Sequence, residues 1–222
     1  MIDLQFDFEI LLPALYKGAL VTFALILVSA PFGFLNGIGI ALGRTYGNRL
    51  VSRLCQGYVL FFKGCPLLLL LFIIYFGLPS LGITFTAFTS AVIGFILCNG
   101  AYNSEYIRGG IQSVSSGQMT AALSLGMSRV QAIRSIILPQ ALRKSLPGLS
   151  NEFIYLIKYS SLAYMITVIE ITGAGNIFAA KYFAFFEVFI LIGIFYLGLV
   201  TVAGRIIAVI EKKIAIPGFG GV

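Results

Sequence analysis

At 222 residues, 59% hydrophobic and only 10% charged, the chain is excluded from the class of soluble domains. A bilayer-crossing helix needs about 20 apolar residues, so this length suits one membrane domain of several spans. The net charge of +7 sits in loops between apolar runs, which argues against a nucleic-acid footprint and for a membrane topology signal.

The chain opens on Asp3, Asp7 and Glu9, an acidic start rather than the basic one of a cleavable signal, so the first span itself directs insertion. Gly18 to Gly43 carries no charge and is long enough to cross. Pro31 and several glycines inside it mark a kink or close helix packing. Arg44, Arg49 and Arg53 follow as cytoplasmic anchors. From Leu54 to Phe62 the chain is apolar and aromatic until Lys63 interrupts it. Lys63 is either buried in one long helix or closes an interfacial helix, with the next span starting at Pro66. The second is favoured, because proline suits a first helical turn and lysine can snorkel to the surface.

That span ends in the uncharged turn Gly77 to Gly82, and a third runs from about Phe85 to Tyr106. Glu105 and Arg108, at i and i+3, read as a helix-surface ion pair. Cys55, Cys65 and Cys98 lack metal-ligand spacing, lie in or beside apolar runs and read as small buried hydrophobes.

Ser115 to Pro139 is the long segment that is neither an apolar span nor a short turn. It reads as two short helices hinged at Gly126, where a helix would end in the left-handed region. Ser115 with Gln118, and Ser128 with Gln131, have the spacing of capping boxes. Pro139 is expected to close the second helix. Ala121, Ala122 and Leu125 fall on one face of the first, a shallow surface suited to another protein's groove. An ordinary amphipathic loop is the plainer reading of the same residues.

Arg143 and Lys144 precede Pro147, where a fourth helix can start and run to Ile169. It is the polar span, with Glu152, Lys158, Tyr159, Ser160, Ser161 and Thr167. A charge near the bilayer centre costs about 2.5–3.5 kcal/mol, so Lys158 is expected to face a cavity or a partner. It either lines a pathway with Ser160 and Ser161, or pairs with Glu152 or with carbonyls between subunits. Glu170 to Glu187 reads as an outer loop, and a fifth span runs from Val188 to Ile210 with Arg205, Lys212 and Lys213 at its inner end.

Nearly all Lys and Arg fall on the side of the 115–139 loop, while the outer loops hold only Lys181. The expected fold is therefore a single all-α integral membrane domain over residues 1–222, with five transmembrane helices. The spans lie at 18–43, 65–81, 85–106, 147–169 and 188–210, with the N-terminus outside and the C-terminus cytoplasmic. There is no G-x-x-x-x-G-K-[ST] phosphate loop, no histidine and no serine–base or paired-carboxylate arrangement, so the chain is not expected to be an enzyme.

One spacing is more specific than these. Ala121-Ala122, three residues, Gly126, nine residues, then Ile136-x-Leu138-Pro139 resembles the signature loop of ATP-binding-cassette importer permeases. Asn103 to Ile111, Pro139 to Arg143, Asn151 and Lys158 to Leu162 resemble the polar amino acid branch, as do Lys63 to Leu67 and Tyr75 to Pro79. The likeness covers nearly the whole chain. That family usually has glutamate where this chain has Thr120, and often an acidic residue where it has Tyr159.

The resemblance implies a type I importer permease in a bacterial or archaeal cytoplasmic membrane. It implies a second permease subunit, identical or paralogous, two ATPase subunits that bind ATP and Mg, and an extracytoplasmic amino-acid-binding protein. The chain itself would hold no cofactor. Thr120, Ala121, Ala122, Leu125, Gly126 and Arg129 would couple it to the ATPase. Asn103, Glu152, Lys158, Tyr159, Ser160 and Ser161 would line the substrate route, opened by alternating access. The alternatives are a permease of the same architecture for another small solute, or a stand-alone channel or ion-coupled carrier. The last predicts inverted repeats or intramembrane acid chains, which this sequence lacks.

Overall fold

The computed structural model describes residues 4–214, with side chains from Glu9 onward, so the acidic start at Asp3 and Asp7 lies outside the described side chains. The described residues are helical with no strand. In chain order the helices are α1 (Leu4–Tyr46), α2 (Arg49–Gly64), α3 (Leu67–Phe72), α4 (Ala87–Ser113), α5 (Ser116–Ser124), α6 (Arg129–Ala132), α7 (Leu138–Tyr159), α8 (Ile171–Tyr182) and α9 (Phe185–Ile214).

α1 continues through both Pro13 and Pro31. Its 43 residues extend for roughly 64 Å, about twice the hydrocarbon thickness. It packs chiefly on α4, and glycines set how closely. A Cβ at Gly37 would fall 2.6 Å from the Asn103 Cβ, and one at Gly33 or Gly100 would collide with Asn99 or Asn36. The glycines expected to mark close packing therefore do so at this crossing. Leu25, Leu71, Phe95, Leu156 and Ile166 form the central apolar cluster around it.

Helix α2 stops at Gly64 and the run Leu67–Leu81 leaves it at 102°, so the two are not one straight helix. This is the break expected before Pro66, which sits at the N-cap of α3. α3 passes into a π turn at Ile73–Gly77 and a 3₁₀ turn at Leu78–Leu81. Lys63 is exposed with its ammonium 5.3 Å above the Tyr102 ring, rather than buried in a long helix. Cys98 is buried, Cys55 and Cys65 are half-buried, and all three are free thiols.

α4 is the most enclosed helix, burying Ser90, Asn99, Asn103 and Ser104 alongside Phe95 and Ile107. Among the described residues two helices, Glu9–Tyr46 and Phe185–Ile214, are long and apolar enough to cross a membrane alone; α4 is not one of them. Its interior asparagines explain why. They are accommodated because α4 is enclosed by α1, α2 and α7.

Three expected boundaries are corrected. Pro139 does not close a helix: α6 passes through a π turn at Ile133–Ile137 directly into α7, with Pro139 in the first turn of α7. Pro147 lies inside α7 rather than starting it. The missing N–H at each is tolerated where a neighbouring turn or helix re-satisfies the backbone. Third, Glu170 to Glu187 is not a loop, because α8 occupies most of it.

The reason for α8 is Glu170. Its carboxylate is fully buried and accepts from the Thr172 and Gly173 amides and the Tyr196 hydroxyl, all at 2.9 Å. It thereby caps α8 and ties it to α9. α8 and α9 then bury Phe178, Ala179, Val188 and Ile192 against Leu11 and Leu15 of α1.

Candidate functional site

Two places gather polar chemistry, and one continuous helical run joins them. The first is inside the bundle. Asn103 Nδ2 donates to Asn99 Oδ1 at 2.7 Å, and Asn99 Nδ2 reaches Glu152 Oε1 at 3.4 Å and the Tyr159 hydroxyl at 3.5 Å. The Tyr159 hydroxyl donates to the same Oε1 at 3.0 Å. Asn99, Asn103 and Glu152 are buried, and Tyr159 packs its ring on Phe95. Among the described residues no donor reaches Glu152 Oε2. A cavity of about 360 Å³ opens onto Asn99 and Asn103 between α1, α4 and α7.

Glu152, Asn103 and Tyr159 are thus brought together, and Asn99 joins them. Asn99 was not among the expected residues. Its signal was present, since it lies four residues before Asn103 and so one helical turn away on the same face.

Ser160 is buried and its hydroxyl is spent on Ile157 O at 2.7 Å, while Ser161 bonds Lys158 O at 2.8 Å. Lys158 does not pair with Glu152. Six helical residues separate them, which places them about 120° apart around α7. The ammonium instead lies 4.2 Å above the Tyr155 ring. Pro147, Asn151, Tyr155 and Lys158 form an exposed stripe on that side.

The second place is the basic end of the bundle. Glu105 holds Arg44 of α1 at 2.6 Å and Arg108 of α4 at 2.9 Å, so the expected helical pair is one half of a three-residue clamp. Lys144 Nζ donates to Ser113 O at 2.6 Å, and Ser145 Oγ to Tyr106 O at 2.9 Å, fastening α7 to the end of α4.

The 115–139 loop hangs from this frame as the expected helix–turn–helix. Gly126 has φ +80°, and the turn closes with Met127 N to Ala122 O at 3.1 Å and Gly126 N to Leu123 O at 3.0 Å. These are the two bonds of a Schellman ending. The Ser128–Gln131 capping box forms, with Ser128 N to Gln131 Oε1 at 2.8 Å and Gln131 N to Ser128 Oγ at 3.3 Å. The Ser115–Gln118 box does not form. Ser115 makes no side-chain cap, and the Gln118 amide goes to Ser115 O at 3.0 Å instead.

Ala122 is corrected too. It is 1% exposed and turned into the chain, where α5 packs on the Arg129–Ile137 segment, so it is not part of an outer face. The outer face is Thr120, Ala121, Leu123 and Leu125 with Arg129 and Val130. Leu125 and Val130 are 83% and 73% exposed, apolar knobs on a polar loop. Val130 was missed because a lone valine between Arg129 and Gln131 carries no periodic signal. Arg129 lies 5.8 Å from the Tyr46 ring and braces the loop on α1.

A helical membrane bundle with a buried polar cluster and an exposed helical hairpin at its basic end defines the class of a transport permease. Residues 33–216 match the binding-protein-dependent transport system inner membrane component family, and the chain belongs to that family. It is 41% identical over 203 residues to the probable amino-acid ABC transporter permease protein YckA of Bacillus subtilis, covering 91% of this chain and 90% of that one. It is 38% identical to the probable amino-acid ABC transporter permease protein PatM of Vibrio harveyi, covering 94% and 96%. The fold is similar to the crystal structure of an amino acid ABC transporter with histidines, at TM-score 0.83 and 33% identity over 90% of this chain and 94% of that chain.

Proposed function

We propose that this chain, with a second permease subunit, encloses the pathway of an ATP-driven importer of polar amino acids. One observation carries the reading. A single helical run from Arg129 to Tyr159 bears the exposed loop at one end and Glu152 and Tyr159 at the other. Movement imposed on the loop is delivered to the polar cluster, which is the requirement for nucleotide energy to change the contacts a substrate sees. Alternating access follows when ATPase closure tilts that run.

In this reading Thr120, Ala121, Leu123, Leu125, Arg129 and Val130 dock on an ATPase partner that holds ATP and Mg. Asn99, Asn103, Glu152 and Tyr159 receive substrate, the paired amides and the carboxylate suiting an amino acid's polar ends. The exposed stripe of Asn151, Tyr155 and Lys158 supports a second permease. Bare to lipid it would cost several kcal/mol, and a facing subunit converts it into a polar wall.

The reading also takes five spans, with the N-terminus outside and the basic end, including the loop, cytoplasmic. The last two follow from α7 and α9, with α8 bent by 50° from the run that ends at Ile166. Cysteine labelling checks it: Ser80→Cys reacts from outside and Ser116→Cys only from inside, and reversed accessibility rejects the orientation.

The deciding experiment is reconstitution in liposomes with the ATPase and the solute-binding protein. Uptake of labelled amino acid is expected to require all three components and ATP. Uptake by this chain alone would make it a self-sufficient carrier.

A further inference from the structure

Helix α9 buries only Val188 and Ile192, both in its first turns. From Leu199 to Ile214 its inner side lines, with residues of α1 and α7, a groove of about 680 Å³. The groove runs for roughly 22 Å along α9, enough for the full depth of one bilayer leaflet, about 15 Å of hydrocarbon. Its walls are apolar, among them Phe23, Leu146, Phe153, Ala203 and Ile207. Arg143 lines the same groove as Ile210 and Ile214 near the end of α9. Lys212 and Lys213 occupy the last turn of α9 beside them.

We propose that this groove is a binding site for an anionic phospholipid, with an acyl chain along the apolar walls and the phosphate on Arg143. Charge selects the occupant. A second copy of this chain would bring its own basic end, Arg44, Arg49 and Arg53 included, against Arg143 and the α9 lysines. An anionic headgroup neutralises that mouth instead, and a juxtamembrane cation is worth about 1 kcal/mol to such a headgroup. The polar stripe that calls for a protein neighbour lies on another side of α7. The groove face holds Leu142, Leu146, Leu149 and Phe153, and the stripe holds Asn151, Tyr155 and Lys158.

The test is native mass spectrometry of the permease purified with its partner subunits and exposed to phosphatidylglycerol or phosphatidylcholine. The expected result is one phosphatidylglycerol retained per permease chain and at least fivefold less phosphatidylcholine. Arg143→Gln should lower phosphatidylglycerol retention at least fivefold, and Ala203→Phe, which fills the groove, should remove it. Arg49→Gln, which removes a cation away from the groove, should leave retention unchanged. Equal retention of both lipids, or unchanged retention in Arg143→Gln, overturns the proposal. So does an Ala203→Phe complex that keeps its lipid, or one that loses its second permease subunit, since the groove would then be a protein interface. None of these readouts depends on transport, so the pathway reading stands or falls separately.

Discussion

A Gly126→Val variant is expected to hydrolyse ATP with its partners while moving little or no substrate. The residue adopts φ +80°, and a Cβ built there meets nothing within 4 Å. The penalty is therefore backbone strain alone, not a clash, and a β-branched side chain incurs the most of it. Strain of roughly 1–3 kcal/mol converts to a loss of about 5- to 150-fold in the population holding the native turn. That turn sets the angle between α5 and α6, and so whether Leu125 and Val130 present one surface. Asparagine tolerates the left-handed region, so Gly126→Asn should retain most transport and Gly126→Ala should fall between. Gly109→Ala, at an exposed glycine whose added Cβ also meets nothing, should be silent. Uptake and ATPase rate, measured in the same proteoliposomes, decide the matter. Wild-type uptake in the valine variant would remove the loop from the coupling path. Ala122 is a poor probe of docking, because a larger side chain at a 1% exposed position damages the loop's own packing first.

The second large effect is expected at Glu152, where charge and structure separate by the choice of replacement. Glu152→Ala strips the acceptor from the Tyr159 hydroxyl and the Asn99 amide, at roughly 1–3 kcal/mol for each group left unsatisfied. It should lose both thermal stability and transport. Glu152→Gln keeps an oxygen in place for both donors and removes the charge. If Glu152 meets substrate, the glutamine variant should keep its melting midpoint yet lose at least tenfold in uptake. Normal uptake in the glutamine variant would assign the cluster to packing α4 against α7. Initial rates over a range of substrate concentrations, paired with a thermal melt of the same preparation, distinguish the two.

What the sequence alone determined were the features whose physics is local. The Gly126 turn and the Ser128–Gln131 box need only a few consecutive residues, and both form as read. The helical class and the break before Pro66 likewise depend on composition and a single ring. Tertiary structure decided everything that turns on which side of a helix is covered. Lys158 and Glu152 look like partners in one polar span, yet α7 buries one and exposes the other because α4 packs on one flank only. Ala122 and Leu125 share a stretch of small and apolar residues, and the following segment covers the first and leaves the second bare. Pro139 and Pro147 read as helix ends, but a π turn leads into α7 at the first and α7 runs on through the second. Asn99 and Glu170 escaped notice for a common reason. A polar residue in an apolar run counts against burial until its partners are in view; Asn103 lies one turn from Asn99, but Glu152 stands 53 residues from Asn99 and Tyr196 26 residues from Glu170.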